Sequence, residues 1–262
     1  MFSLVRQPRW LAFLAITVGL CVLFWWLGLW QWHRHEDRSA RNDAVEAAQQ
    51  APEQPLADLM PDPSNLPTGT EHRLTTASGQ YLTDAQVLQR NPSGRAGYAV
   101  LTPLELDTGG TVIVNRGFVP PSTTNPNTPS DLEGLVPASG PVELVMRVRA
   151  PQDTTDRTAP TGQVYDIDPR DYPAPLPGPV YVAYGDLVDQ TPDDGSDLER
   201  PEAADLGMGP HLFYAFQWWL FIPIAVIGLL LLMRREARHD QQQADTPAPD
   251  GAQDAEEPTR PG

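Results

Sequence analysis

Two long apolar runs frame the chain, and the residues between them follow a different rhythm. From Trp10 to Trp32 only Thr17 and Gln31 interrupt the apolar sequence, and from Leu212 to Met233 no charged residue occurs. A helix rising about 1.5 Å per residue needs runs of this length to cross ~30 Å of hydrocarbon. Lipid offers no hydrogen bonds, so a lone span must satisfy its own backbone and is expected to be helical. A cleaved signal peptide is the rival for the first run, but its apolar part is about 7–15 residues and ends in small side chains. Here the run ends Phe24-Trp25-Trp26-Leu27-Gly28-Leu29-Trp30-Gln31-Trp32, so an uncleaved anchor is expected. Trp10 at one end and Trp30 and Trp32 at the other form aromatic belts.

The stretch from His33 to Gln50 has no Gly or Pro and alternates charged side chains with small apolar ones. It reads as the first helix continuing beyond the membrane and stopping before Pro52. From Pro52 to about Glu202 the period shortens: brief β-branched runs alternate with Pro- and Gly-rich turns. Candidate strands are 73–80, 86–89, 97–106, 111–118, 142–148, 163–167 and 180–184. The firmest pair is Gly97–Leu106 with Thr111–Phe118, joined by Asp107-Thr-Gly-Gly, a hairpin signal. These two should pair antiparallel at the centre of a mainly antiparallel, barrel-like β domain, since closure removes exposed edges. Residues 120–137 and 189–205, rich in Pro, Asp, Thr and Ser, read as loops.

Charge adds orientation. The net charge of −16 leaves no electrostatic footprint for nucleic acid, and residues 42–209 carry it all, nine Arg against twenty-five Asp and Glu. Arg234, Arg235 and Arg238 follow the second run, whereas Arg200 is the nearest basic residue before it. The positive-inside rule then puts the C-terminus in the cytoplasm and, with two spans, the N-terminus too. Arg34, Arg38 and Arg41 after the first run argue the other way, but Glu36 and Asp37 accompany them. The expected organisation is a cytoplasmic N-terminus over 1–9, a transmembrane helix over 10–32 and its extension over 33–51. An extracytoplasmic β domain of roughly 160 residues follows over 52–210, large enough for its own core. A second transmembrane helix covers 211–233 and a disordered cytoplasmic tail 234–262. The fold class is membrane-anchored α+β, in the cell membrane as a two-pass protein.

Chemistry is sparse in the domain. The one cysteine, Cys21, excludes an intrachain disulfide and cysteine-rich metal sites. Every basic residue is Arg, a composition bias, not a chemical signal. No nucleophile–base motif, zinc-protease helix or phosphate loop is present, and Asp166, Asp168 and Asp171 lack calcium-loop spacing. Nothing supports an ordinary enzyme.

The outer ends of the spans hold more. His33, His35 and His211 fall at one depth if the topology holds. Each has a plain reading as an interfacial anchor; together, from two helices, they could also present imidazole to a metal or haem iron. His211, Tyr214 and Trp218, at i, i+3 and i+7, should line one helix face. Arg34 and Arg38, four apart, share a face suited to lipid phosphates, an acidic partner edge or ligand carboxylates such as haem propionates.

Four patches resemble the Surfeit locus protein 1 family, membrane factors in the biogenesis of haem–copper cytochrome c oxidase. The first is Leu27-Gly28-Leu29-Trp30-Gln31, followed by Arg34 and by Arg38, where the family has Lys. The second is Gly97-Tyr98 with Val100-Leu101-Thr102-Pro103-Leu104. The third is Val114-Asn115-Arg116-Gly117-Phe118-Val119-Pro120, with Phe for Trp, and the fourth is His211-Leu212-x-Tyr214-Ala215-x-Gln217-Trp218. They occur in family order from Leu27 to Trp218, in an actinobacterial-like form. The resemblance implies a chaperone that binds haem a transiently through His211 and assists its delivery to oxidase subunit I, docking on subunit I or haem a synthase. A scaffold that stabilises those partners without binding haem is the alternative. Asn115 and Gly117 are expected to form a turn, and Arg116 to serve the fold or a partner.

Overall fold

The computed structural model describes residues 8–244 apart from 126, 131–134, 138 and 156. The chain forms two compact units, one holding the apolar helices up to Ser39 and from Gly207, the other Ala40–Leu206.

Helix α1 starts at Pro8 in the first unit and continues unbroken to Gln50, its last turns belonging to the second, as the absence of Gly and Pro after the apolar run dictates. The second long helix, numbered α3 below, runs His211–Ala244. It outlasts the expected span end at Met233; the rest of the tail expected to be disordered lies outside the described residues. The two run antiparallel. Arg9 pairs with Glu236 at 2.7 Å at one end, and Trp10 packs with Leu229 and Met233. At the other end Phe24 meets Trp218 and Phe221, and Trp219 lies against both Trp25 and Trp32. Elsewhere the apolar side chains point outward: Leu11, Ile16, Val22, Leu220, Ile227 and Leu231 are all exposed. Both helices are long and apolar enough to cross a membrane. An apolar surface of this kind suggests membrane anchoring. Pro223 sits inside α3, a position that membrane helices tolerate.

The second unit is a mixed sheet. Its strands are β1 Gln54–Pro55, β2 Leu74–Tyr81, β3 Val87–Arg90, β4 Tyr98–Leu106, β5 Thr111–Val119, β6 Pro141–Arg149, β7 Gln163–Val164 and β8 Val180–Thr191. A short helix, α2, spans Leu56–Leu59. The spatial order is β1-β2-β6-β8-β5-β4-β3-β7. The central hairpin is as expected: β4 and β5 pair antiparallel, with Gly109 and Gly110 at φ 91° and 88° making the turn. The expectation of a mainly antiparallel, barrel-like domain holds in part: most strand pairs are antiparallel, but the sheet is mixed and not clearly a barrel. β8 inserts between β5 and β6 and runs parallel to β5, β1 pairs in parallel with β2, and β7 in parallel with β3. β2 returns to β4 through only Gly79–Tyr81 opposite Leu104–Leu106. The connection from β5 to β6 is long enough to reorder strands, and no local pattern reports that.

β8 also reaches Thr191, into sequence expected to be loop. Its polar second half is held as strand because Glu143 to Arg149 of β6 pair along it. One face of the sheet carries the main core. Val112 and Val114 of β5, Leu144, Met146 and Val148 of β6, and Leu187 of β8 pack there with Leu56, Leu59 and Met60. A smaller cluster covers the opposite face, where Leu101, Ile113, Ile167 and Tyr184 meet. With both faces covered, β5 is buried along almost its whole length.

Candidate functional site

The collar is built by the first turns of α3 and a mid-helix stretch of α1. His211 is the first residue of α3, and the backbone N–H of Tyr214 bonds the carbonyl of Pro210 at 3.1 Å, fixing the first turn. Its ring faces α1: His211 Nδ1 lies 3.0 Å from Oε1 of Gln31. Nδ1, not Nε2, makes this contact. With the amide oxygen as acceptor, Nδ1 is the donor, and in the neutral ring that leaves the lone pair on Nε2. Seven residues along from Gln31, and so on the same helix face, Arg38 donates through Nε to the carbonyl of Gly207 at 2.9 Å. That bond ties the chain entering α3 to α1, so Arg38 has a structural task.

The other expected members separate. His35, one turn from Gln31 on that face, is half-buried, its Nδ1 enclosed without a hydrogen-bond partner and its ring 6.3 Å from Trp32. His33 and Arg34 are exposed. His33, two residues from both Gln31 and His35, points round the opposite side of the helix. Trp218 stacks on Phe24 at 5.8 Å, whereas Tyr214 is exposed beside Phe213. The collar therefore narrows to His211, Gln31 and Trp218, with His35 on the next turn. Trp30 is exposed, and Gly28 is buried because Trp219 lies on it: a Cβ there would be 2.0 Å from the indole Nε1.

The strand motif in β5 is enclosed. The register against β4 slips between Val100 and Leu101, whose partners are Gly117 and Asn115, so Arg116 is the extra residue of a bulge. Its side chain and that of Asp194 are wholly buried and ion-paired, and Arg116 also donates to the carbonyl of Leu135. Its guanidinium lies 5.6 Å from the ring centre of Tyr81, whose hydroxyl donates to Gln190 at 3.1 Å. Burial pushes the Asp194 carboxyl up, but bonds from Arg116 and Ser196 outweigh it and hold it below its ordinary value. Of the two roles expected for Arg116, the fold is the one its burial serves. Gly117 has φ 150°, and a Cβ there would meet the Glu199 carbonyl oxygen at 2.7 Å. Residue 199 bridges Phe118 at that point, which leaves space for glycine alone.

Asn115 faces the other way and donates to Asp186 at 2.8 Å, and Arg149 pairs with the same carboxylate at 3.1 Å. Burial drives the Asp186 carboxyl above its ordinary value despite these partners. A cavity of about 580 Å³ opens beside them, lined also by Tyr184 and Gln152. Sequence reading singled out neither Asp186 nor Arg149. A carboxylate inside the apolar strand Val180–Leu187 was the available signal. Of the acids that lack calcium-loop spacing, Asp166 accepts from Thr155, and Asp168, which is buried, accepts from the backbone N–H of Arg170 in a short turn. Among the described residues no three His, Cys, Asp or Glu side chains converge as a metal site.

A family model described as the SURF1 family matches residues 18–222, taking in both the collar and the β5 motif. An uncharacterised SURF1-like protein of Mycobacterium bovis is 30% identical over 260 residues, covering 95% of this chain and 92% of the relative. Uncharacterised SURF1-like proteins of two Mycobacterium tuberculosis strains, CDC 1551 and H37Rv, match to the same extent.

Proposed function

The chain belongs to the SURF1 family, and from that premise we propose that it binds haem a at the collar and assists its delivery to subunit I of cytochrome c oxidase. The family is associated with assembly of that oxidase, and its members are assembly factors, not known enzymes. The observation that carries the haem reading is the orientation of His211, whose Nδ1 is engaged by Gln31 at 3.0 Å. Neutral imidazole with one nitrogen held and the other bearing its lone pair is a common iron ligand. The Trp218 ring on the face of His211 suits a flat apolar macrocycle, and exposed Arg34 suits its propionates. The donor set therefore fits the group. Haem a is here a cargo whose iron chemistry belongs to the oxidase. This chain's residues hold it at the membrane surface and keep its apolar faces from water.

The reading places both termini in the cytoplasm and the sheet unit outside the plasma membrane, with subunit I or haem a synthase as docking partner. The test is an absorption spectrum of full-length protein purified from cells that make haem a. Wild type shows a Soret band, and His211→Ala, folded to the same extent, loses it. A normal haem load in His211→Ala overturns the assignment of His211. Unimpaired oxidase assembly in that variant selects the scaffold function in its place.

A further inference from the structure

We propose that Gln31 is the positioning residue that sets the tautomer of His211, and so decides which imidazole nitrogen is offered to iron and how strongly it donates. The proposal rests on the haem reading for its use, but its structural content stands apart from it. Neutral imidazole has one N–H and one lone pair, and the partner of one nitrogen fixes the state of the other. Left to water, neither tautomer of His211 would be held. Here the contact is to Nδ1, from the amide oxygen of Gln31, at 3.0 Å across a sequence separation of 180 residues.

Gln31 can make this contact because two other features hold the middle of α1 against the start of α3. Gly28, one turn earlier, lets the Trp219 indole approach α1 closely. Arg38, two turns later on the same face, holds the Gly207 carbonyl at 2.9 Å. Between these the register of the two helices is set, and Gln31 meets the first residue of α3. A carboxamide in an otherwise apolar run from Trp10 to Trp32 is costly near the membrane unless it has a partner. His211 is that partner. The bond to an outer partner also raises the basicity of a ligating imidazole, and loss of such partners typically weakens metal binding about 10–100-fold. Gln31 thus acts through His211 and touches no cargo itself.

The test has an arm without haem and an arm with it. Full-length protein in detergent, ¹⁵N-labelled at histidine, is read by NMR for the proton on each His211 nitrogen. The wild type is expected to carry it on Nδ1. Gln31→Glu, whose carboxylate can only accept, is expected to keep it there, and Gln31→Leu to release it to a mixture or to Nε2. An Nε2 proton in the wild type, or an Nδ1 proton undisturbed in Gln31→Leu, overturns the proposal. In the haem arm, Gln31→Leu is expected to weaken haem retention about 10–100-fold, and Gln31→Glu to retain haem with a lowered reduction potential. A bond that merely clamps the helices would lose retention in Gln31→Leu without the opposed shift in potential in Gln31→Glu, and that result also overturns it. The two ideas fail separately: haem retained in His211→Ala sinks the haem reading, whereas the tautomer experiment judges Gln31 whether or not haem binds.

Discussion

Arg116 and His211 are both cationic or potentially cationic residues within family-motif patches, and the chain treats them in opposite ways. Arg116 is wholly enclosed, its charge answered by an equally enclosed Asp194 and its face covered by Tyr81. His211 is half-buried, with one nitrogen held by a neutral amide. An ion pair inside a sheet unit has no room for a ligand and every reason to be rigid, since separating it strands a charge in low dielectric. An imidazole at the start of a helix, oriented but not enclosed, has its second nitrogen outside that bond. Two motifs of similar polarity thus divide: one is locked inside the fold and the other holds an oriented, half-buried imidazole at the start of a helix.

The largest effect should come from breaking the enclosed side. Arg116→Met leaves Asp194 buried without its cation, and removing one partner of such a pair costs about 3–5 kcal/mol. Chemical unfolding of the full chain in detergent measures the loss. Adding Asp194→Asn should recover much of it, because an apolar or neutral replacement of the whole pair is close to neutral. The pair also has a pH signature. The folded carboxyl of Asp194 sits below its ordinary value, so its contribution is complete above the unfolded value of about 3.9 and is lost as pH falls through the folded one. Arg116→Met should flatten that acid limb. An unchanged midpoint in the single variant would show the pair to be ornamental and remove the contrast with the collar.

The next effect falls on the helix pair. Gly28→Val puts a side chain where the Trp219 indole lies, with its Cβ 2.0 Å from the indole Nε1 unless the ring moves. Overpacking of this kind costs about 1–3 kcal/mol, and Trp219 cannot swing away easily because Trp25 and Trp32 flank it. Tryptophan emission should shift and the Nδ1–H state of His211 should be lost, while unfolding of the sheet unit stays unchanged. If the sheet unit is destabilised instead, the two centres are coupled and the contrast between them fails.

How much of this could be read from residues alone depends on the range of the interaction. Asp107-Thr-Gly-Gly marks its hairpin locally, and the spans announce themselves by length. The place of β8 beside β5 and parallel to it is settled by which strand faces meet, and no period along the chain carries that. Arg116 shows the same limit: its burial follows from a one-residue bulge and from Asp194, 78 residues away. At the collar some information was available but unused. The helical period alone separates His33 from His35 and aligns Gln31 with His35 and Arg38. The partnership of Gln31 with His211 was not available, since only the packing of α1 on α3 creates it.

The smallest effect compares histidines. His72 sits in the sheet unit in left-handed backbone, at φ 69°, with its Nε2 3.8 Å from the Glu71 carboxylate. Burial first, then Arg149 and Arg147, hold its imidazolium below the ordinary value, against the opposing pull of Glu71 and Asp186. A histidine that resists protonation only when folded makes stability rise with pH: the unfolded chain binds the proton that the native one refuses. The wild type should therefore lose stability as pH falls below the unfolded value of about 6.5 and towards the folded one. His72→Asn removes the titration and keeps a residue that tolerates left-handed backbone. Its unfolding midpoint should fall less between neutral and mildly acidic pH than that of the wild type, with haem retention unaltered. A steeper fall in the variant would mean that His72 gains its proton on folding, and would leave His211 without the inert counterpart against which its orientation is judged.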